Sequence, residues 1–198
     1  MANKGIVFER KFCKDLSLWW TQGVRDDVFW RTAGSGSRAT QRHIHGKQTH
    51  GAHGDVCAVD PIGGQLTELF TIELKRGKHS GATIQDLIDK LPSSDRLRMP
   101  VLEGYIEKAK RSAVVAGTPT WMLVLRRDRR DAVLIFPKTN ILRPIRTRLY
   151  SLSMTWVRLR YRRHRTDIFT DVMVVPWMTW IYLHPSHIAL CLTGRDGE

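Results

Sequence analysis

The chain has 198 residues, 42% of them hydrophobic, with seven Trp and six Phe, enough apolar side chain for one packed domain and too much for a disordered chain. Its net charge of +13 favours a polyanionic partner, nucleic acid foremost, and by itself says nothing about chemistry. Cys13, Cys57 and Cys191 are too far apart for a disulfide framework or a zinc site, and Asp171 and Pro176 interrupt the best candidate for a membrane span. Residues Met1 to Gly5 lack the apolar core of a signal peptide, so an intracellular protein with no membrane partner is expected.

Phe8, Phe12, Leu16, Trp19 and Trp20 recur at helical spacing and predict a helix over residues 6–22, stopped by Gly23. Glu9 lies beside this stripe, where the helix dipole favours a carboxylate whatever its role. Val28 to Thr32 predict a short strand running into Gly34-Ser35-Gly36-Ser37-Arg38, with Arg42 just beyond. Small residues let backbone N–H groups approach phosphates and an arginine supplies a bidentate donor, although a plain flexible loop has the same composition. His43, His45, His50 and His53 follow within eleven residues; without cysteine partners or helical spacing they suit a basic loop better than a zinc site.

The next stretch carries the chemistry. Gly54-Asp55-Val56 and Phe70 to Lys75 read as two strands joined by a turn at Asp60-Pro61-Ile62-Gly63-Gly64. Folded about Gly64, such a hairpin sets Asp55 opposite Glu73. Glu73 and Lys75 then share one face, and Phe70, Ile72 and Leu74 take the other. Facing carboxylates repel unless a cation sits between them, and Mg²⁺ takes one or two carboxylates together with water and phosphate oxygens. With Lys75 beside the ion, the set suits phosphodiester hydrolysis.

Arg76, Lys78 and His79 continue the basic character, and Thr83 is placed to cap a helix over 84–91 with Gln85 in its first turn. A second helix is predicted over Val101 to Ala116, with Leu102, Tyr105, Ile106, Ala109 and Ala113 on one face. Residues 121–125 and 132–136 read as buried strands around the charged turn 126–131. From Ala132 to Thr166 there are nine basic residues and no acidic one. Within that stretch Arg158, Arg160 and Arg162 alternate with Val, Leu and Tyr, a row suited either to a phosphate backbone or to protecting a solvated edge strand. Residues 171–175 predict a strand, and Pro176 opens a short helix reaching Leu183, with Trp177 and Trp180 in the core.

Asp55 followed by Glu73-Leu74-Lys75 resembles the D…ExK signature of the PD-(D/E)xK nuclease superfamily, with Gly54 where the family name has Pro. Glu9 on an upstream helix and the Gly/Ser/Arg loop make the chain most similar to the archaeal-type Holliday junction resolvases, over about residues 5–136. The resemblance implies an α/β, restriction-endonuclease-like fold, a mixed central sheet flanked by helices. Residues 1–136 are expected to form the nuclease core and residues 137–198 a basic C-terminal extension packed on it. It further implies a metal-dependent DNA endonuclease using Mg²⁺ or Mn²⁺, with Asp55 and Glu73 as metal ligands and Glu9, Asp55, Glu73 and Lys75 as the catalytic set. DNA, branched by resemblance, is the expected partner, contacted by Ser35, Ser37, Arg38, Arg42, Lys78, Arg158, Arg160 and Arg162; a homodimer is compatible with paired cuts at a junction. A nuclease fold that binds nucleic acid without turnover, a general or restriction-like nuclease, and a basic RNA-binding or assembly protein remain open at this stage.

Overall fold

The computed structural model describes residues 4–32, 54–76, 101–152, 154–163 and 166–194. Helix α1 (Lys4–Trp20) buries Phe8, Phe12, Leu16 and Trp19, the stripe set by its apolar spacing. It ends where Gln22 and Gly23 turn to positive φ (54° and 92°) and the Gly23 N–H reaches the Leu18 carbonyl at 2.7 Å. Ser17, also buried on α1, donates to the Cys13 carbonyl and accepts the Phe29 N–H at 2.9 Å, tying the helix to the first strand.

Strand β1 (Phe29–Arg31) pairs antiparallel with β2 (Val56–Ala58), Trp30 opposite Cys57. This corrects the expected hairpin, because β2 pairs with β1 and not with the strand that carries Glu73. The expected turn is instead a helical segment. The Asp60 carboxylate accepts the Ile62 N–H, Pro61 starts a 3-10 turn (Pro61–Gly63), and α2 (Gly64–Leu69) follows. Leu66 and Leu69 are fully buried; a strand would send these two to opposite faces, whereas three residues along a helix both face the core.

Strand β3 (Phe70–Arg76) runs parallel to β4 (Thr120–Arg126), and α3 (Val101–Ala116) lies between them in sequence. The α3 boundaries match the sequence expectation. β5 (Val133–Pro137), β7 (Thr166–Pro176) and β6 (Thr155–Arg163) continue the sheet antiparallel, in the order β3-β4-β5-β7-β6. The result is a mixed five-stranded sheet between helices, the α/β, restriction-endonuclease-like arrangement expected from the sequence. β6 and β7, from the basic C-terminal third, are strands of this same sheet. Helices α4 (Arg143–Tyr150), α5 (Trp177–Trp180) and α6 (Ser186–Thr193) complete the described residues.

The two faces of the sheet carry separate apolar clusters. One face presents Phe70, Ile72, Leu74, Met122, Leu134, Phe136 and Met173 to α1, α2, α4 and α6, with Trp180 wholly buried among them. The other presents Trp121, Leu123, Ile135, Leu159 and Val172 to Leu102, Ile106, Ala109 and Ala113 of α3. Strand alternation puts Glu73 and Lys75 on the α3 face, at the β3 edge.

Candidate active site

Asp55 directly precedes β2 and reaches β3 through its backbone. Its N–H donates to the Ile72 carbonyl at 2.7 Å while its own carbonyl accepts the Thr32 N–H at 3.1 Å, so one residue joins the small sheet to the large one. Gly54 makes this junction possible. Its φ is +76°, and a Cβ built there would lie 2.5 Å from the Ile72 carbonyl oxygen, so the Pro of the superfamily's name has no room here.

The Asp55 carboxylate, buried, accepts the Leu74 N–H at 2.8 Å and lies 3.3 Å from the Lys75 ammonium through the same Oδ2. Lys75 Nζ is also 3.1 Å from Glu73 Oε2 and donates to the Leu74 carbonyl at 3.0 Å. Three oxygens therefore converge on one cation. Glu73, fully buried, is held from a second side, by Lys108 Nζ on Oε2 at 2.7 Å and by Ser112 Oγ on Oε1 at 2.9 Å.

The two carboxylates respond in opposite directions. Burial, then the charge of Glu73, pushes the Asp55 carboxyl above its ordinary value in spite of Lys75. Burial also works against charge on Glu73, but Lys75 and Lys108, by charge and hydrogen bond, bring it below the usual carboxylate range. For Lys75 burial disfavours the ammonium, yet Asp55 and Glu73 outweigh it and raise its pKa, so the group stays protonated at neutral pH.

Asp55 Oδ2, Glu73 Oε2 and the Leu74 carbonyl are the hard oxygen donors a small divalent cation takes, and they already converge on a positive charge. The residues fit such an ion. Among the described residues no group of three or more His, Cys, Asp or Glu side chains forms a further candidate.

Asp55, Glu73 and Lys75 are brought together. Glu9 is on α1 and its Oε2 accepts Arg31 Nε at 2.9 Å, in a half-buried ion pair at the end of β1. The charges of Glu9 and Asp55 act on one thiol: burial first, then Cys57, Glu9 and Asp55, push Cys13 up to about 12, with Arg31 opposing. Arg158 is at the far edge of the sheet, on the opposite face, bound to both oxygens of Asp171 at 2.7 and 2.9 Å. Arg160 and Arg162 pair in register with Phe169 and Asp167, and their side chains lie outside the described residues. Ser35, Ser37, Arg38, Arg42, the four histidines at 43–53, Lys78 and Gln85 also lie outside them.

Arg31, Lys108 and Ser112 are the site residues that sequence reasoning missed. A signal for the last two existed, since Lys108 and Ser112 follow Tyr105 of the α3 apolar stripe at spacings of three and four. Tyr105 indeed lies under the Lys75 ammonium, 5.9 Å from ring centroid to Nζ.

No curated protein and no solved structure matches the chain. The family model described as "Phage putative PDDEXK endonuclease" matches residues 1–189, and the protein belongs to that family.

Proposed function

We propose that the protein is a divalent-metal-dependent DNA endonuclease that hydrolyses phosphodiester bonds at branched or junction DNA. Membership of a PD-(D/E)xK endonuclease family supports nuclease activity. The observation that carries the mechanism is the convergence of Asp55 Oδ2, Glu73 Oε2 and the Leu74 carbonyl on a single ammonium. These three oxygens would hold Mg²⁺ or Mn²⁺, which when bound lowers the pKa of water and offsets charge on the scissile phosphate.

The chain's own groups do the rest. Asp55, hydrogen-bonded to β3, and Glu73, on β3, orient the reacting centre, and their burial excludes bulk water. Lys75, kept protonated by both carboxylates, donates N–H bonds to the attacking water and to phosphate oxygens as negative charge builds there. The water oxygen bonds to phosphorus and one ester P–O bond breaks. One water proton reaches the departing alkoxide and the other is lost to solvent as the new phosphate ionises. Glu9, fixed by Arg31, would order water around this centre.

Ser35, Ser37, Arg38, Arg42 and Lys78 contact the DNA backbone, and the basic residues 137–198, with Arg158, Arg160 and Arg162, extend the footprint beyond the core of residues 1–136. At a four-way junction two copies act as a symmetric pair, one per strand.

The test is cleavage of labelled four-way junction, flap, duplex and single strand with Mg²⁺ or EDTA, by wild type, Asp55→Asn and Lys75→Ala. Paired Mg²⁺-dependent nicks at the junction are expected, reduced by about a thousandfold or more in both variants, with junction binding kept within a few-fold. Cuts on every substrate would leave a general nuclease. Salt-sensitive binding without product in any condition would replace the enzyme by a binding protein on a nuclease fold.

A further inference from the structure

Glu73 is the most tightly held carboxylate of the site, and two of its three side-chain contacts come from a helix outside the D…ExK signature. A carboxylate with 1% of its side chain exposed is costly unless paired and hydrogen-bonded. Lys75, its neighbour on β3, supplies one contact, to Oε2 at 3.1 Å. α3 supplies two, one to each oxygen, and the Lys108 contact at 2.7 Å is the shortest. Lys108 and Ser112 are four residues apart and so lie one above the other on α3, whose position is fixed by Leu102, Ile106, Ala109 and Ala113 against the sheet.

The two residues differ in what they can do next. The Ser112 hydroxyl is on a short side chain and can only stay or rotate. Lys108 keeps 39% of its side chain in water, so its ammonium can swing to solvent while its stem remains packed. The charges set the need for that movement. Asp55 and Glu73 are balanced by Lys75 and Lys108, a neutral set of four. A divalent ion entering among the three oxygens takes the place Lys75 Nζ holds in their midst and leaves two positive charges in excess, and Lys108, the cation nearest water, is the one that can leave the set.

We propose that Lys108 and Ser112 are positioning residues for Glu73: Ser112 fixes the carboxylate's orientation, and Lys108 is an internal counter-cation on Oε2 that a divalent metal ion must displace. This rests on the nuclease reading of Asp55 and Glu73. Removing Lys108 therefore favours the ion and removing Ser112 disfavours it. A general loss of structure cannot produce opposite signs.

The experiment is calorimetric titration of the full chain with Mg²⁺ alone, without DNA, at low salt. Lys108→Gln is expected to bind Mg²⁺ about tenfold more tightly than wild type, Ser112→Ala about tenfold more weakly, and Lys108→Arg within about threefold. Melting curves of each variant confirm that it is folded, and the charge-keeping Arg variant carries the test if Lys108→Gln does not fold, since an affinity far above wild type there would contradict competition. Unchanged or weaker Mg²⁺ binding in folded Lys108→Gln overturns the proposal and leaves Lys108 a structural ion pair. Absence of Mg²⁺ binding in wild type, or its persistence in Asp55→Asn, removes the nuclease centre itself. Wild-type binding abolished by Asp55→Asn, with no shift in Lys108→Gln, removes the role of Lys108 alone.

Discussion

At the β3 edge of the sheet Glu73 lies 2.7 Å from Lys108, and its side chain is 1% exposed. At the β6 edge Arg158 lies 2.7 Å from Asp171, with 62% and 30% of the two side chains exposed. The distances are equal and the consequences are not. In water an ion pair gains little over the hydration it replaces, and salt screens what is left. In the interior a carboxylate cannot fall back on water, so every donor around it matters and removing one leaves a deficit nothing else fills. The two edges are about 19 Å apart across four strand spacings, and Arg158 faces away from Glu73. The β3 edge is built to hold charge in place, the β6 edge to present it.

The largest effect that would break this contrast acts through the backbone. Gly54→Ala puts a Cβ against the Ile72 carbonyl at a residue with φ of +76°, and neither atom is at the end of a flexible chain. The substitution should cost about 3 kcal/mol and displace Asp55, so that cleavage is lost along with the stability. Urea unfolding paired with the junction assay checks both at once. A stable, active Gly54→Ala would mean that Asp55 does not depend on its bond to Ile72.

Next in size is a gain. Because burial and Glu73 raise the Asp55 pKa in the fold, its ionised form is penalised there. That penalty is fully present above the raised folded value and vanishes as pH falls below the ordinary carboxylate value, where Asp55 is protonated folded or unfolded. Asp55→Asn, which cannot ionise, should therefore be more stable than wild type by about 1 kcal/mol at pH 7, with the difference shrinking toward acid. Glu73 has the opposite sign, its contribution being lost only as pH falls through its lowered folded value. Denaturation midpoints at several pH values decide it, and a variant less stable than wild type at neutral pH would show that Lys75 outweighs burial and repulsion.

What could be read from the chain depended on whether a pattern is local. The α1 stripe, the α3 boundaries and strands β4 and β5 follow from periods of 3.6 and 2 and from buried apolar runs. The grouping of Asp55, Glu73 and Lys75 was legible from residue type and spacing, although the path is different: a helical turn and α2 stand where a hairpin was expected. Gly63 and Gly64 look like a turn, and only tertiary burial of Leu66 and Leu69 makes that segment helical. A three-residue strand such as β2 carries too little pattern to name its partner, and β1 won. Lys108 and Ser112 were hidden for another reason. The polar side of an amphipathic helix ordinarily faces water, and nothing in α3 alone says that a buried carboxylate lies across from it.

The smallest predicted effect belongs to the exposed pair. At Asp171 the hydrogen bonds to Arg158 outweigh burial and hold the carboxyl below the usual range. Asp171→Asn should leave the melting temperature where it is, because an exposed pair adds little to folding. Its effect should appear instead in DNA binding. With its counter-charge gone, Arg158 has two N–H donors free for phosphate, and affinity should rise about threefold at low salt, with the slope of log affinity against log salt steeper by roughly one. Arg158→Ala should move both quantities the other way and leave cleavage per bound complex unchanged, since the β3 edge is untouched. If neither variant alters the salt slope, the β6 edge lies off the DNA path, and Arg158 protects an edge strand from pairing with other chains.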